Sequence, residues 1–133
     1  VKEKGQFDYI IPPTIEKNTE LKDKYIQFME KVSEQYQEFV EAGIPAEDAR
    51  FVLPNAAASS LVASLNLREM IHLANLRLCT RAQYEIRTMV KMMCDELVKV
   101  EPWLKPYLVP KCERLGFCDE AKGCGRKPKM EGM

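Results

Sequence analysis

The sequence has no charge surplus, no long apolar run and only one histidine. Twenty basic and twenty acidic residues cancel to a formal net charge of +0. Nothing therefore builds the broad positive field that duplex DNA or an anionic membrane surface would select. Neither nucleic acid nor membrane is an expected partner, whereas a small anion held by a few local arginines is compatible. No apolar run approaches the roughly 18 to 20 residues of a membrane span. Val1-Lys2-Glu3-Lys4 is not followed by a signal-peptide core either, and the chain opens without an initiator methionine. A cytoplasmic location is expected. Internal repeats and low-complexity stretches are also lacking. With 133 residues the chain can build one domain with a core and is too short for two ordinary ones.

Cysteine is present in an odd number, five. Cys79 and Cys94 fall in helical patterns, where free thiols pack as small hydrophobes, so disulfides are not required. Cys112, Cys118 and Cys124 are separated by five residues each in a stretch rich in Pro, Lys and Gly. Structural zinc favours tighter pairs and four ligands, so no metal is expected and the three read as free or redox-sensitive thiols. The composition shift divides the chain into a helical portion, residues 1–109, and a Cys/Lys/Gly-rich tail, residues 110–133.

Most of the remaining pattern is helical. Residues 1–5 are charged and aperiodic, which suits a mobile lead-in. Phe7-Asp8-Tyr9-Ile10-Ile11 is an extended apolar piece closed by Pro12-Pro13. Leu21, Tyr25, Phe28, Val32, Tyr36 and Phe39 step by three or four and predict an amphipathic helix from residue 18 or 19 to 42, stopped by Gly43. Pro45 opens a short helix with Glu47 and Asp48 in its first turn, Arg50 in its last, and Pro54 beyond it. Residues 56–65, rich in Ala and Ser, suit a buried small-residue helix or a short strand. A second long helix is expected from Thr80, whose hydroxyl can pair with Gln83 in a capping box, to the stop at Pro102. Its stripe of Ala82, Ile86, Met89, Met93, Leu97 and Val100 reads as core rather than as a binding groove. The fold class is mainly α: two long amphipathic helices, shorter ones, and one short strand as the open alternative.

Between these lies residues 66–78, the helix around which the chain is organised. At about 100° per residue, Leu67, Ile71, Ala74 and Leu78 share one stripe that requires an apolar neighbour. Arg68, His72 and Asn75 form a second stripe beside it, and Arg77 lies nearly opposite Arg68. Donor-rich side chains along an apolar seam can be aimed at a ligand; they can equally be a solvated polar face with snorkelling arginines.

Four segments carry a resemblance: Ala49-Arg50-Phe51-Val52-Leu53-Pro54, then Asn66-x-Arg68, then Asn75-Leu76-Arg77, then Ala82-Gln83-Tyr84-Glu85-Ile86-Arg87. In that order they resemble the C-terminal half of the flavin-dependent thymidylate synthases, the ThyX family, collinearly from about Phe7 to Trp103. The resemblance implies part of an α+β fold in the intact enzyme and a strand-like segment before Asn66. It implies reductive methylation of dUMP to dTMP, with methylenetetrahydrofolate as carbon donor and FAD, reduced by NADPH, as hydride source. It also implies sites shared between subunits of a homotetramer.

By motif position, Arg50 and Arg77 would contact dUMP, with Arg77 as the catalytic residue that stabilises negative charge on the uracil ring. Asn66 and Arg68 would contact FAD, as would His72 and Arg81 at positions where relatives carry a histidine or asparagine. Arginine and asparagine suit this work because a planar guanidinium pairs bidentately with phosphate or carbonyls, and an amide both donates and accepts toward a heterocycle. The residue types alone admit plainer roles: Arg50 as a helix-dipole partner and His72 as a packed or surface histidine. The family's Arg-His-Arg signature does not occur in the sequence. The expectation is a piece that starts just after that motif and turns over little or no substrate alone. A second reading is a non-catalytic helical interaction module, suggested by apolar seams too extensive for one small domain.

Overall fold

The computed structural model describes residues 7–130. The chain divides into two compact units, Val1–Val62 and Ala63–Met133. The architecture is mainly α, with six α-helices and no sheet among the described residues. The expected lead-in, residues 1–5, lies outside the described residues.

In the first unit, Tyr9 makes an isolated antiparallel bridge to Ala57, with Ile10 N–H donating to Ala56 O at 2.9 Å and Ala58 N–H to Asp8 O at 2.7 Å. Residues 58–66 form neither helix nor strand, so the strand left open for 56–65 reduces to this one bridge. The diproline does more than close the extended piece: Pro13 occupies the first position of a single-turn helix, α1 (Pro13–Glu16), where its missing N–H costs nothing. Next comes α2 (Thr19–Glu41), whose start is fixed by Asn18 Oδ1 accepting from Leu21 N–H at 3.1 Å. Its end is fixed by Gly43, in the left-handed region at φ +82°, which lets Ile44 N–H turn back onto Phe39 O at 3.0 Å. Only part of the expected seam is buried: Tyr36 is inside with Met29, whereas Phe28 is 57% exposed and Leu21 is exposed too. The Tyr25 hydroxyl donates to Ile10 O at 2.8 Å and anchors the extended piece on α2. The short helix after Pro45 is α3 (Ala46–Ala49), continued by a 3-10 turn, Arg50–Val52.

The second unit is built on α4 (Leu67–Arg77) and α5 (Tyr84–Val100). Met70 and Ala74 of α4 meet Val90 and Cys94 of α5, and Leu104 and Leu108 close the cluster from the segment after Pro102. Helix α5 starts later than the capping box at Thr80 suggests. Gln83 is itself the cap, its Oε1 accepting from Glu85 N–H at 2.9 Å and Ile86 N–H at 3.2 Å. Thr80 belongs to a turn whose carbonyl is taken by the Arg87 guanidinium at 2.8 Å. Of the expected α5 stripe, Ile86, Met93 and Leu97 pack on the core, whereas Met89 and Val100 are exposed. The tail carries α6 (Lys111–Leu115), ended by Gly116 at φ +82°. It also carries a parallel bridge between Cys118 and Lys129. Among the described residues no helix is long and apolar enough to cross a membrane.

Candidate active site

Helix α4 carries most of the candidate residues, and its own sequence sets its limits. Asn66 is the N-cap: its Oδ1 accepts from Glu69 N–H at 2.9 Å and satisfies one of the open donors of the first turn, where Glu69 also favours the helix dipole. Leu78 closes the other end, with Arg77 in the last turn, where a cation is favourable.

The expected stripe packs as read in Ile71, Ala74 and Leu78, but the buried arc of the helix is wider than that stripe. Leu67 is 40% exposed, whereas Asn75, expected on the polar side, is only 5% exposed. The buried line is Met70, Ala74 and Asn75, flanked by half-buried Ile71, Leu73 and Leu78. Asn75 turns its amide back along the helix, Nδ2 donating to Ile71 O at 2.6 Å, and leaves Oδ1 buried without a hydrogen-bond partner. Such an orphan acceptor is costly, about 1–3 kcal/mol, unless something outside the chain satisfies it.

Arg68, His72 and Arg77 are exposed, and among the described residues none of the three makes a side-chain hydrogen bond or ion pair. Arg68 and His72, one turn apart, share a face of the eleven-residue helix, and Arg77 stands on the opposite side at its other end, so the two unpaired guanidiniums suit different anionic or heterocyclic groups.

At the C-terminal end of α4, Arg77 and Arg81 come together. They line one shallow cleft of about 280 Å³ with Leu76, Cys79, Ala82 and Glu120. Arg81 is ion-paired there with Glu120. The carboxylate thus occupies one of the two cations, while Arg77 has none. Sequence reasoning missed Glu120 and the burial of Asn75; both depend on residues distant in the chain.

Arg50 belongs to the first unit. It stands at the junction of α3 and the 3-10 turn, exposed, with Nε donating to Ala46 O at 3.2 Å. That bond places the guanidinium at the helix C-terminus, as a dipole partner would stand. The terminal nitrogens of its fork face no partner among the described residues.

The cap at Asn66 separates a structural role from a binding one. Asn66→Asp keeps the accepting oxygen and loses the amide donors, whereas Asn66→Ala loses both. Thermal unfolding should show the alanine variant less stable by about 1 kcal/mol and the aspartate variant unchanged. Equal melting of the wild type and the alanine variant would remove the cap from the account.

The family model described as thymidylate synthase complementing protein matches residues 1–103. Among curated relatives, the flavin-dependent thymidylate synthase of Nitratidesulfovibrio vulgaris is 42% identical, over 97% of this chain and 57% of the relative. That of Thermococcus onnurineus is 38% identical over 91% and 53%, and that of Pyrococcus abyssi 39% over 94% and 54%. The chain spans about half the length of the curated relatives it matches.

Proposed function

The chain belongs to the thymidylate synthase complementing protein family, and on that premise we propose that it supplies the C-terminal portion of a flavin-dependent thymidylate synthase. The reaction is reductive methylation of dUMP to dTMP. FAD, reduced by NADPH, supplies the hydride when bound, and methylenetetrahydrofolate supplies the carbon. The observation that carries this reading is the exposed, unpaired Arg68, His72 and Arg77 on α4, within the residues that the family model spans.

In this reading the protein binds and polarises. Arg77 holds a permanent cation against the uracil ring and stabilises the negative charge that develops as C5 becomes nucleophilic. Arg50 is assigned to dUMP as well. Arg68 takes the flavin nucleotide, joined by the Asn66 amide, whose N–H donors remain after its oxygen has capped α4. His72 lies one turn beyond Arg68 on the same face and completes that edge. Arg81 reaches the flavin only by exchanging Glu120 for the ligand, so its contribution is smaller than that of Arg68.

Self-association, as a homotetramer in the intact enzyme, fits the apolar side chains that the two units leave exposed, among them Phe51, Leu61 and Leu65. The same residues are what a non-catalytic interaction module would use; the unpaired arginines favour the enzyme.

The test is made on the full-length protein, including the residues that complete the length of its relatives. It should purify with flavin bound and form dTMP from dUMP, methylenetetrahydrofolate and NADPH, while this chain alone turns over little or none. A full-length protein that binds no flavin and forms no dTMP would overturn the reading.

A further inference from the structure

Four of the five cysteines come to one place. Cys79, just past the end of α4, lines a cavity of about 80 Å³ with Cys112, Cys118 and Cys124 of the tail. Cys94 is buried in the core between α4 and α5 instead. A cavity of that size is too small for a nucleotide or other organic ligand, which needs roughly 300–1,000 Å³. It suits an ion. The sequence expectation of no metal rested on three evenly spaced thiols without a fourth ligand, and Cys79, far upstream, is that fourth thiol.

Each thiol of the tail is held by a separate backbone device. Cys112 sits in α6, which Gly116 terminates. Cys118 is pinned by its own N–H donating to Pro128 O at 2.7 Å and by Met130 N–H donating to its carbonyl at 3.2 Å. Cys124 lies between Gly123, whose backbone runs past the Cys118 sulfur, and Gly125, at φ +84°. Its Sγ accepts from the Thr80 hydroxyl and from Arg126 N–H, the kind of donors that hold a thiolate ligand in place.

Asn75 is an independent observation. It lines the same cavity, is 5% exposed, and its orphan Oδ1 has nothing to accept. A water lodged in the cavity beside the four sulfurs would donate to it. Among the described residues no three His, Cys, Asp or Glu side chains already stand at ligating distance, so the four sulfurs would have to move inward to hold an ion.

We propose that Cys79, Cys112, Cys118 and Cys124 form a tetrathiolate site for a soft divalent cation, the ligand set that selects zinc. Each thiol gives its proton to solvent as its sulfur binds the ion. The doubly negative cluster that results is offset by Lys122, at the cavity wall, and by Arg126. The site ties the tail to the end of α4 and keeps Glu120 on Arg81. It does not depend on the proposed reaction, since metal content is read without activity.

The experiment is elemental analysis of the chain purified under reducing conditions without added metal, followed by cobalt(II) titration of the metal-stripped protein. About one zinc per chain is expected, and cobalt should give the intense visible bands of a tetrahedral thiolate complex. Cys79→Ser and Cys124→Ser should lose stoichiometric metal, whereas Cys94→Ser should retain it if helical circular dichroism shows it folded. Cys124 is exposed and lies in a loop, so its serine variant leaves the helical core intact. Cys124→His should keep the metal as a three-sulfur, one-nitrogen site. Full metal occupancy in Cys79→Ser overturns the proposal. So does a reduced, folded wild type that takes up neither zinc nor cobalt, or a mass showing these thiols paired as disulfides in protein purified without oxidant.

Discussion

Replacing Arg77 by lysine in the full-length protein should lower dTMP formation by about 10² or more, in line with the loss of an oxyanion-type donor, and leave flavin binding nearly intact. Lysine keeps the positive charge and loses the planar fork, so the substitution tests orientation and not merely sign. Arg77 is exposed at the last turn of α4, lines the cleft that Arg81 and Glu120 share, and is spared the ion pair that Arg81 makes. Its charge is therefore available to a substrate. A cation at the uracil ring interacts more strongly with the charge that develops there than with the neutral ground state, and that difference lowers the barrier. The measurement is dUMP-dependent oxidation of reduced flavin, followed together with dTMP formation and beside a flavin titration. Wild-type turnover in Arg77→Lys would remove the residue from the mechanism. A parallel loss of flavin would make it a structural residue of the flavin site instead.

Local signals fixed what the sequence could reveal. The ends of α2 were legible because Asn18 and Gly43 act within a turn of their own positions, and the limits of α4 were legible through Asn66 for the same reason. The width of the buried arc of α4 was not. Ile71, Ala74 and Leu78 of the expected stripe do pack with the core, but Met70 and Leu73 widen it on one side and Asn75 on the other. That width is set by Val90, Cys94, Leu104 and Leu108 and, at Asn75, by residues of the tail, all of which approach from later in the chain. The start of α5 slipped because the Gln83 amide took the open donors of the helix, while the Thr80 carbonyl accepts from the Arg87 guanidinium ahead of it.

The site shows the same division. Arginine and asparagine positions could be read from short motifs, because such residues carry their chemistry with them. What each one faces could not. Arg81 meets Glu120 across 39 residues of sequence, and Cys79 meets the tail thiols over a comparable span. No periodicity encodes pairings of that length. A composition shift at residue 110 marks the tail as different in kind, yet α6 and the Cys118 to Lys129 bridge belong to the same compact unit as α4 and α5.

Arg68→Ala in the full-length protein should weaken flavin retention by roughly 10- to 100-fold, the loss expected for one charge-assisted hydrogen bond of about 1.5–3 kcal/mol. Arg68 stands in the first turn of α4, beside a cap that holds Asn66 and one turn before His72 on the same face. A guanidinium at a helix N-terminus is disfavoured by the dipole, so its removal should not destabilise the fold, and a binding loss cannot be explained by unfolding. Its exposed guanidinium makes no hydrogen bond or ion pair that alanine would break among the described residues. The measurement is flavin occupancy at limiting flavin, paired with thermal unfolding in the absence of flavin. His72→Ala, on the same edge with a weaker donor, should show a smaller loss, and Arg81→Ala the smallest of the three because Glu120 already engages that guanidinium. Equal occupancy in wild type and Arg68→Ala would move the flavin away from the start of α4, and the outward face of that helix would then be a solvated one.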